Sequence, residues 1–340
     1  MTRFIRAHPA LSYFALAFAI SWTGILLVIH GGPIPAPSED VKQLFMPVYL
    51  AMLAGPSVAG IVLTALTAGT TGLRDYRARL LKWRVAPASY VIALLTAPVA
   101  LALTAFILTR FSSAFIPAVF ASSSGPIDPM GPIRSENLNS FVLTGLAVGL
   151  GAGFFEELGW TGFAIPTLLK RHSALWTGVV LGTIWGAWHF LAVFWGSARD
   201  FGGSAIPVFL IVALFSFLPP YRVLMVRLYE RTGSLLVAIL MHASLTASMI
   251  ILGSSIKGTQ SIVFNLTFAA VLWLIAAVMV RVGDLPARAR SASNSEQLVH
   301  RQFTIVENPF KLTHNQRMNH SAEYSERQRV NDAIVDGGAG

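Results

Sequence analysis

Glu156 and Glu157 are the only acidic residues inside the long apolar segments of this 340-residue chain. They stand in Gly153-Phe154-Phe155-Glu156-Glu157-Leu158-Gly159-Trp160. A carboxylate near mid-bilayer costs at least about 2.5–3.5 kcal/mol on insertion scales, so an adjacent pair marks a site. His189, in Trp185-Gly186-Ala187-Trp188-His189, and His242, in Met241-His242-Ala243-Ser244-Leu245-Thr246, lie deep in later apolar segments. Buried carboxylates and imidazoles exchange protons near neutral pH, and the same groups are nitrogen and oxygen ligands suited to zinc. The pattern therefore points to proton chemistry, metal chemistry or both. Successive helical residues point about 100° apart, so the two glutamates divide their work. One faces the site and the other is held by a donor behind it.

Several other chemistries are excluded. The chain has no cysteine, which removes disulfides, thiolate metal sites and thiol nucleophiles together. It has no H-E-x-x-H helix of the zincin kind. No aspartate lies in an apolar segment, which argues against an aspartyl intramembrane protease. Gly55-Pro56-Ser57-Val58-Ala59 completes neither G-x-S-G nor G-x-S-x-G, so a serine nucleophile is not expected. His300, His314 and His320 fall in a polar stretch at no metal-ligand spacing and read as solvated histidines.

The elements that must position the glutamates and histidines are membrane helices. Hydrophobic residues make up 54% of the chain, charged residues 12%, and the mean hydropathy is +0.62, the profile of a polytopic membrane protein. Eight apolar runs are each near the roughly 20 residues a crossing needs: Leu11–Ile29, Phe45–Leu66, Tyr90–Leu108, Phe141–Leu169, Ala174–Trp195, Ile206–Val226, Leu235–Leu252 and Ile262–Val282. The expected fold is all-α, a bundle of about eight transmembrane helices. The first run is too long for a signal-peptide core, lacks an A-x-A site, and reads as a retained helix. Gly159, Gly162 and Pro166 offer places to bend the fourth, which is long for one crossing.

Loop charge orients the bundle. The net charge is +9, and the cations concentrate in alternate loops. Arg3 and Arg6, then Arg74 to Arg84, Lys170 and Arg171, Arg222 to Arg231, and Arg288 with Arg290 share one side. Lys42, Arg110, Arg134, Arg199 and Lys257 are scattered on the other. The asymmetry puts both termini in the cytoplasm, and it assigns the basic residues to membrane topology with no nucleic acid involved. Arg74 to Trp83 reads as a short basic amphipathic helix anchored to anionic lipid at the inner surface. The transmembrane bundle is expected over residues 1–285, and residues 286–340, which are polar, read as a disordered cytoplasmic tail.

Glu156-Glu157-Leu158-Gly159-Trp160-Thr161-Gly162-Phe163, then Trp185 to His189, then His242, resemble the three motifs of the CPBP family of intramembrane proteases. This is the family of CAAX prenyl proteases and bacteriocin-processing, Abi-like enzymes, often described as metalloproteases. The resemblance runs over about residues 141–252. It implies intramembrane proteolysis of a membrane-anchored peptide or protein, with membrane lipids as the other partner, in a bacterial cell membrane. It further implies that Glu156 is the base, that His189 helps position the attacking water, and that His242 stabilises the oxyanion. If a metal is bound, zinc on Glu156, His189 and His242 would be the set, and a metal-free reaction asks Glu156 and His189 to activate water directly.

Two positions depart from the family pattern. Thr161 stands where the first motif usually has Arg, and Thr246 stands where the third usually has Asn. Thr246 keeps a hydroxyl able to donate to an oxyanion. Thr161 leaves Glu157 without the usual cation, so Glu157 is expected to find a substitute in Arg222, Arg227 or the Thr161 hydroxyl, because an uncompensated buried carboxylate is costly. Glu156, His189 and His242 are expected to converge on one polar cavity. Two other functions fit parts of the sequence: a non-catalytic homologue acting in bacteriocin self-immunity or as a membrane chaperone, and a proton-coupled transporter. The transporter reading lacks paired broken helices in matching halves.

Overall fold

Without water to bond to, a backbone in the hydrocarbon core must close its own hydrogen bonds, and helices do this within one segment. The computed structural model describes residues 2–120, 138–197, 206–253, 256, 258–279 and 281, and among these there is no strand. The helices are α1 (Thr2–Ala7), α2 (Pro9–Ile29), α3 (Ser38–Leu80), α4 (Pro87–Thr109), α5 (Leu138–Gly159), α6 (Ile165–Leu168), α7 (Ala174–Gly196), α8 (Ile206–Phe215), α9 (Leu218–Thr232), α10 (Leu235–Leu252) and α11 (Thr259–Met279). Among the described residues, eight helices are long and apolar enough to cross a membrane, and they coincide with the eight apolar runs. The protein is a multi-pass integral membrane protein.

Three breaks shape the bundle. α3 continues well past the apolar run and changes direction at Gly69 (φ 62°), so the basic stretch forms a second arm of the same element. A π-helical turn, Trp160–Ala164, follows α5, and Pro166 lies in the first turn of α6. The sixth run is not one straight helix as its hydropathy suggests. It divides into α8 and α9 before Pro219-Pro220, whose rings supply no N–H to continue the ladder of α8.

Packing then brings the later helices onto α5. α10 and α3 pack along α5, α7 packs on α9, and α2 packs on α3. Gly153 lets α5 approach α10 closely: a Cβ there would stand 2.5 Å from the Ile239 carbonyl oxygen and 2.8 Å from the Ala243 nitrogen. Glu157 follows one turn later on the same face. α9 ends at Gly233 in a left-handed conformation, and the Ser234 hydroxyl accepts from the Val237 N–H at 3.2 Å to start α10. That tight turn sets Arg222 of α9 and His242 of α10 side by side. Trp160, Trp185, Trp188 and Tyr221, all fully buried, fill the space around them.

By contacts the chain forms two units, Met1–Met279 and Val280–Gly340. The polar tail expected over residues 286–340 lies outside the described residues.

Candidate active site

Glu157 is completely buried and fully partnered. Arg222 Nη1 donates to both of its oxygens, at 2.8 and 2.9 Å, and the Thr161 hydroxyl donates to Oε2. His242 Nδ1 lies 2.7 Å from Oε1. Both substitutes for the motif arginine are therefore present together, the cation coming from α9 and the hydroxyl from the π turn. Arg227 instead pairs with Glu230 at 3.1 Å. Arg222 and Glu157 are both 0% exposed, and the guanidinium lies 4.0 Å from the Trp185 ring centroid. The sequence signal for Arg222 was a lone cation at the end of an apolar run.

Glu156 is also buried, yet its surroundings differ. Trp185 Nε1 donates to its Oε2 at 2.7 Å, and His242 Nε2 stands 3.9 Å from its Oε1. That second separation exceeds a hydrogen bond, so Oε1 keeps acceptor capacity facing His242. No arginine or lysine pairs with Glu156 among the described residues. His242 thus bridges the two carboxylates, with Nδ1 on Glu157 and Nε2 toward Glu156. A carboxylate held by several donors stays put, whereas one with a free oxygen is able to take a proton.

His189 is half-buried and stands beside this group. Its Nδ1 lies 2.8 Å from the Trp185 carbonyl, one turn back on α7. A carbonyl only accepts, so Nδ1 carries the hydrogen and Nε2 of the neutral ring is left as an acceptor. No hydrogen bond joins His189 to Glu156. The link is Trp185, whose ring centroid is 5.4 Å from that of His189 and 5.0 Å from that of His242. The structure therefore joins Glu157 to His242 directly, brings His242 within 3.9 Å of Glu156, and sets His189 against the same tryptophan. Thr246 is one helical turn beyond His242 on α10 and half-buried.

The donor chemistry suits zinc in part. Glu156 Oε1, His189 Nε2 and His242 Nε2 are the atoms not spent on other partners. Among the described residues, however, no three His, Asp or Glu side chains are grouped to hold a metal. The three side chains named for zinc are therefore not gathered into one coordination group, and no step below runs through a metal.

Other residues were not singled out by the sequence. Trp185 was visible only as part of a motif, with no sign that its indole N–H would hold Glu156. Ser57, set aside as a nucleophile, donates to the Phe155 carbonyl at 2.5 Å. Tyr49 donates to the Val148 carbonyl at 2.8 Å, so α3 side chains grip the backbone of α5 just before the glutamates. Tyr221 donates to the Met241 carbonyl at 2.7 Å and fixes α9 against the residue before His242. Single polar residues in apolar runs give no hint of which carbonyl they will meet.

The comparisons with known proteins fall on these residues. Residues 138–248 match the Rce1-like family, described as type II CAAX prenyl endopeptidase Rce1-like. That segment contains Glu156, Glu157, His189, Arg222, His242 and Thr246. CAAX prenyl protease 2 of Methanococcus maripaludis is 27% identical over 184 residues, 54% of this chain and 61% of the relative. The chain therefore spans less than two thirds of that relative's length. The three motifs gathered around one buried carboxylate pair thus fall within a segment that is similar to the Rce1-like family.

Proposed function

We propose that the protein is an intramembrane endopeptidase that hydrolyses peptide bonds of membrane-associated substrates, of the CAAX or leader-peptide kind. The observation that carries this reading is the contrast within the glutamate pair. Glu157 is saturated by Arg222, Thr161 and His242, whereas Glu156 keeps an oxygen facing His242 Nε2 across 3.9 Å.

Glu156 Oε1 takes a proton from a water molecule, and the hydroxide oxygen attacks the scissile carbonyl carbon. His189 Nε2, an acceptor in the neutral ring, holds the second hydrogen of that water. The carbonyl π electrons move onto oxygen. His242, held through Nδ1–H by the Glu157 carboxylate, presents a second N–H on Nε2 when protonated and stabilises that oxyanion, with the Thr246 hydroxyl as a further donor. Collapse expels the amine, which receives its proton from Glu156, so water is consumed and no net proton is released. The burial of Glu156, Glu157 and His242 strengthens each of these interactions.

The test offers purified protein in liposomes a library of membrane-anchored peptides in ¹⁸O-labelled water. Wild type is expected to release fragments bearing one ¹⁸O in the new carboxylate. Glu156→Gln, which cannot act as a base, is expected to lose about 10²–10⁴-fold in rate. His189→Ala and His242→Ala are expected to slow cleavage. Loss on chelation with recovery on adding zinc would assign the metal a role. Failure of wild type to cleave any peptide would overturn the peptidase reading.

A further inference from the structure

Tyr76 and Arg79 lie outside the Rce1-like segment, on the arm of α3 that follows Gly69. The sequence reads this arm as a lipid anchor; Arg74, Arg77, Leu81 and Trp83 on it are exposed. Tyr76 and Arg79 face the other way. The Tyr76 hydroxyl donates to the Leu158 carbonyl. Arg79 donates through Nη2 to the Gly162 carbonyl at 3.0 Å and through Nη1 to the Tyr229 hydroxyl at 2.9 Å. Its guanidinium packs 5.4 Å from the Tyr76 ring centroid.

One of the two carbonyls is left in need at the π turn, and the other stands at its entrance. Pro166 stands four residues after Gly162 and has no N–H, so the Gly162 carbonyl lacks its ordinary helical donor. Leu158 lies just before the shift from α to π geometry, where the hydrogen-bond ladder changes register; π turns of this kind concentrate at functional sites. Gly162 has no side chain, and the Tyr76 ring takes that space: a Cβ there would stand 2.6 Å from Tyr76 Cε2.

We propose that Tyr76 and Arg79 are positioning residues for Glu157. They hold the π turn that carries Thr161, and through Tyr229 they tie that turn to α9, which carries Arg222. Arg79 thus joins the two elements that supply the hydroxyl and the cation on Glu157. Glu157 in turn holds His242, so the frame of the site extends from the membrane-surface arm to the imidazole. The proposal rests on the peptidase reading for its catalytic consequence, but the clamp itself has a readout independent of turnover.

The experiment uses full-length protein in liposomes with Tyr76→Phe, Arg79→Gln, Arg79→Lys and, as a control, Arg77→Gln. Tyr76→Phe keeps the ring and removes only the donor. Two quantities are read: kcat and KM on a membrane-anchored peptide, and hydrogen exchange of the Trp160–Ala164 amides. Tyr76→Phe and Arg79→Gln are expected to speed exchange at the turn and to lower kcat about ten- to hundredfold at unchanged KM. Arg79→Lys is expected to recover part of both, and Arg77→Gln to leave both alone. Unchanged exchange in Tyr76→Phe and Arg79→Gln, or faster exchange with unchanged kcat, would overturn the proposal. A wild type that cleaves nothing defeats the peptidase reading instead, and the exchange rates still decide whether the clamp holds the turn.

Discussion

Each oxygen of Glu157 accepts from Arg222, and the Thr161 hydroxyl and His242 complete its shell, so its charge is neutralised where it stands. Glu156, one residue earlier, has the Trp185 indole and the approach of His242. The roughly 100° between neighbours on a helix is enough to give two identical side chains different work. A buried ion pair adds little over an apolar replacement, but removing one partner strands the other. Arg222→Ala is therefore expected to destabilise the protein by about 3–5 kcal/mol, read as a lowered melting temperature in detergent. An unchanged melting temperature would mean that Thr161 and His242 alone hold Glu157. The Thr161 hydroxyl in the π turn and the Arg222 guanidinium from α9 share the one carboxylate of Glu157.

Elements deliver these residues through close backbone approach. α5 and α10 meet at Gly153, where an added Cβ would press on backbone atoms of Ile239 and Ala243 that have no rotamer to escape into. Gly153→Ala is expected to cost about 1–3 kcal/mol and to lower turnover by separating His242 from Glu157. Gly196→Ala, with nothing within 4 Å, is expected to leave both alone. Melting temperature and peptide cleavage of the two variants check this, and equal behaviour would contradict it. The eight spans were legible in the sequence because hydropathy reports lipid directly. The break between α8 and α9 was missed because Pro219-Pro220 interrupts a ladder without interrupting hydropathy. Trp185 relates the two histidines, since its ring lies against both imidazoles.

Across the whole molecule, the first two crossings carry no motif and still contribute to the frame of the site. Ser57, Tyr76 and Arg79 of α3 take backbone carbonyls on both sides of the glutamates, and Trp188 of α7 donates to Ser21 of α2 at 2.9 Å. Such contacts pair a side chain with a carbonyl far away in sequence, and every residue has a carbonyl, so no residue pattern announces them. The chemistry-bearing residues were legible because charge in a lipid phase is expensive; the frame that holds them was not, because serine and tyrosine are tolerated there. The central claim is that this bundle assigns chemistry to Glu156 and structure to Glu157. Glu156→Gln and Glu157→Gln, compared for turnover and melting temperature on the same detergent preparations, test it most directly. The account predicts that Glu156→Gln melts with wild type and loses about 10²–10⁴-fold in rate, while Glu157→Gln, leaving Arg222 unneutralised, loses stability as well as activity. A Glu156→Gln protein that cleaves at the wild-type rate would contradict it.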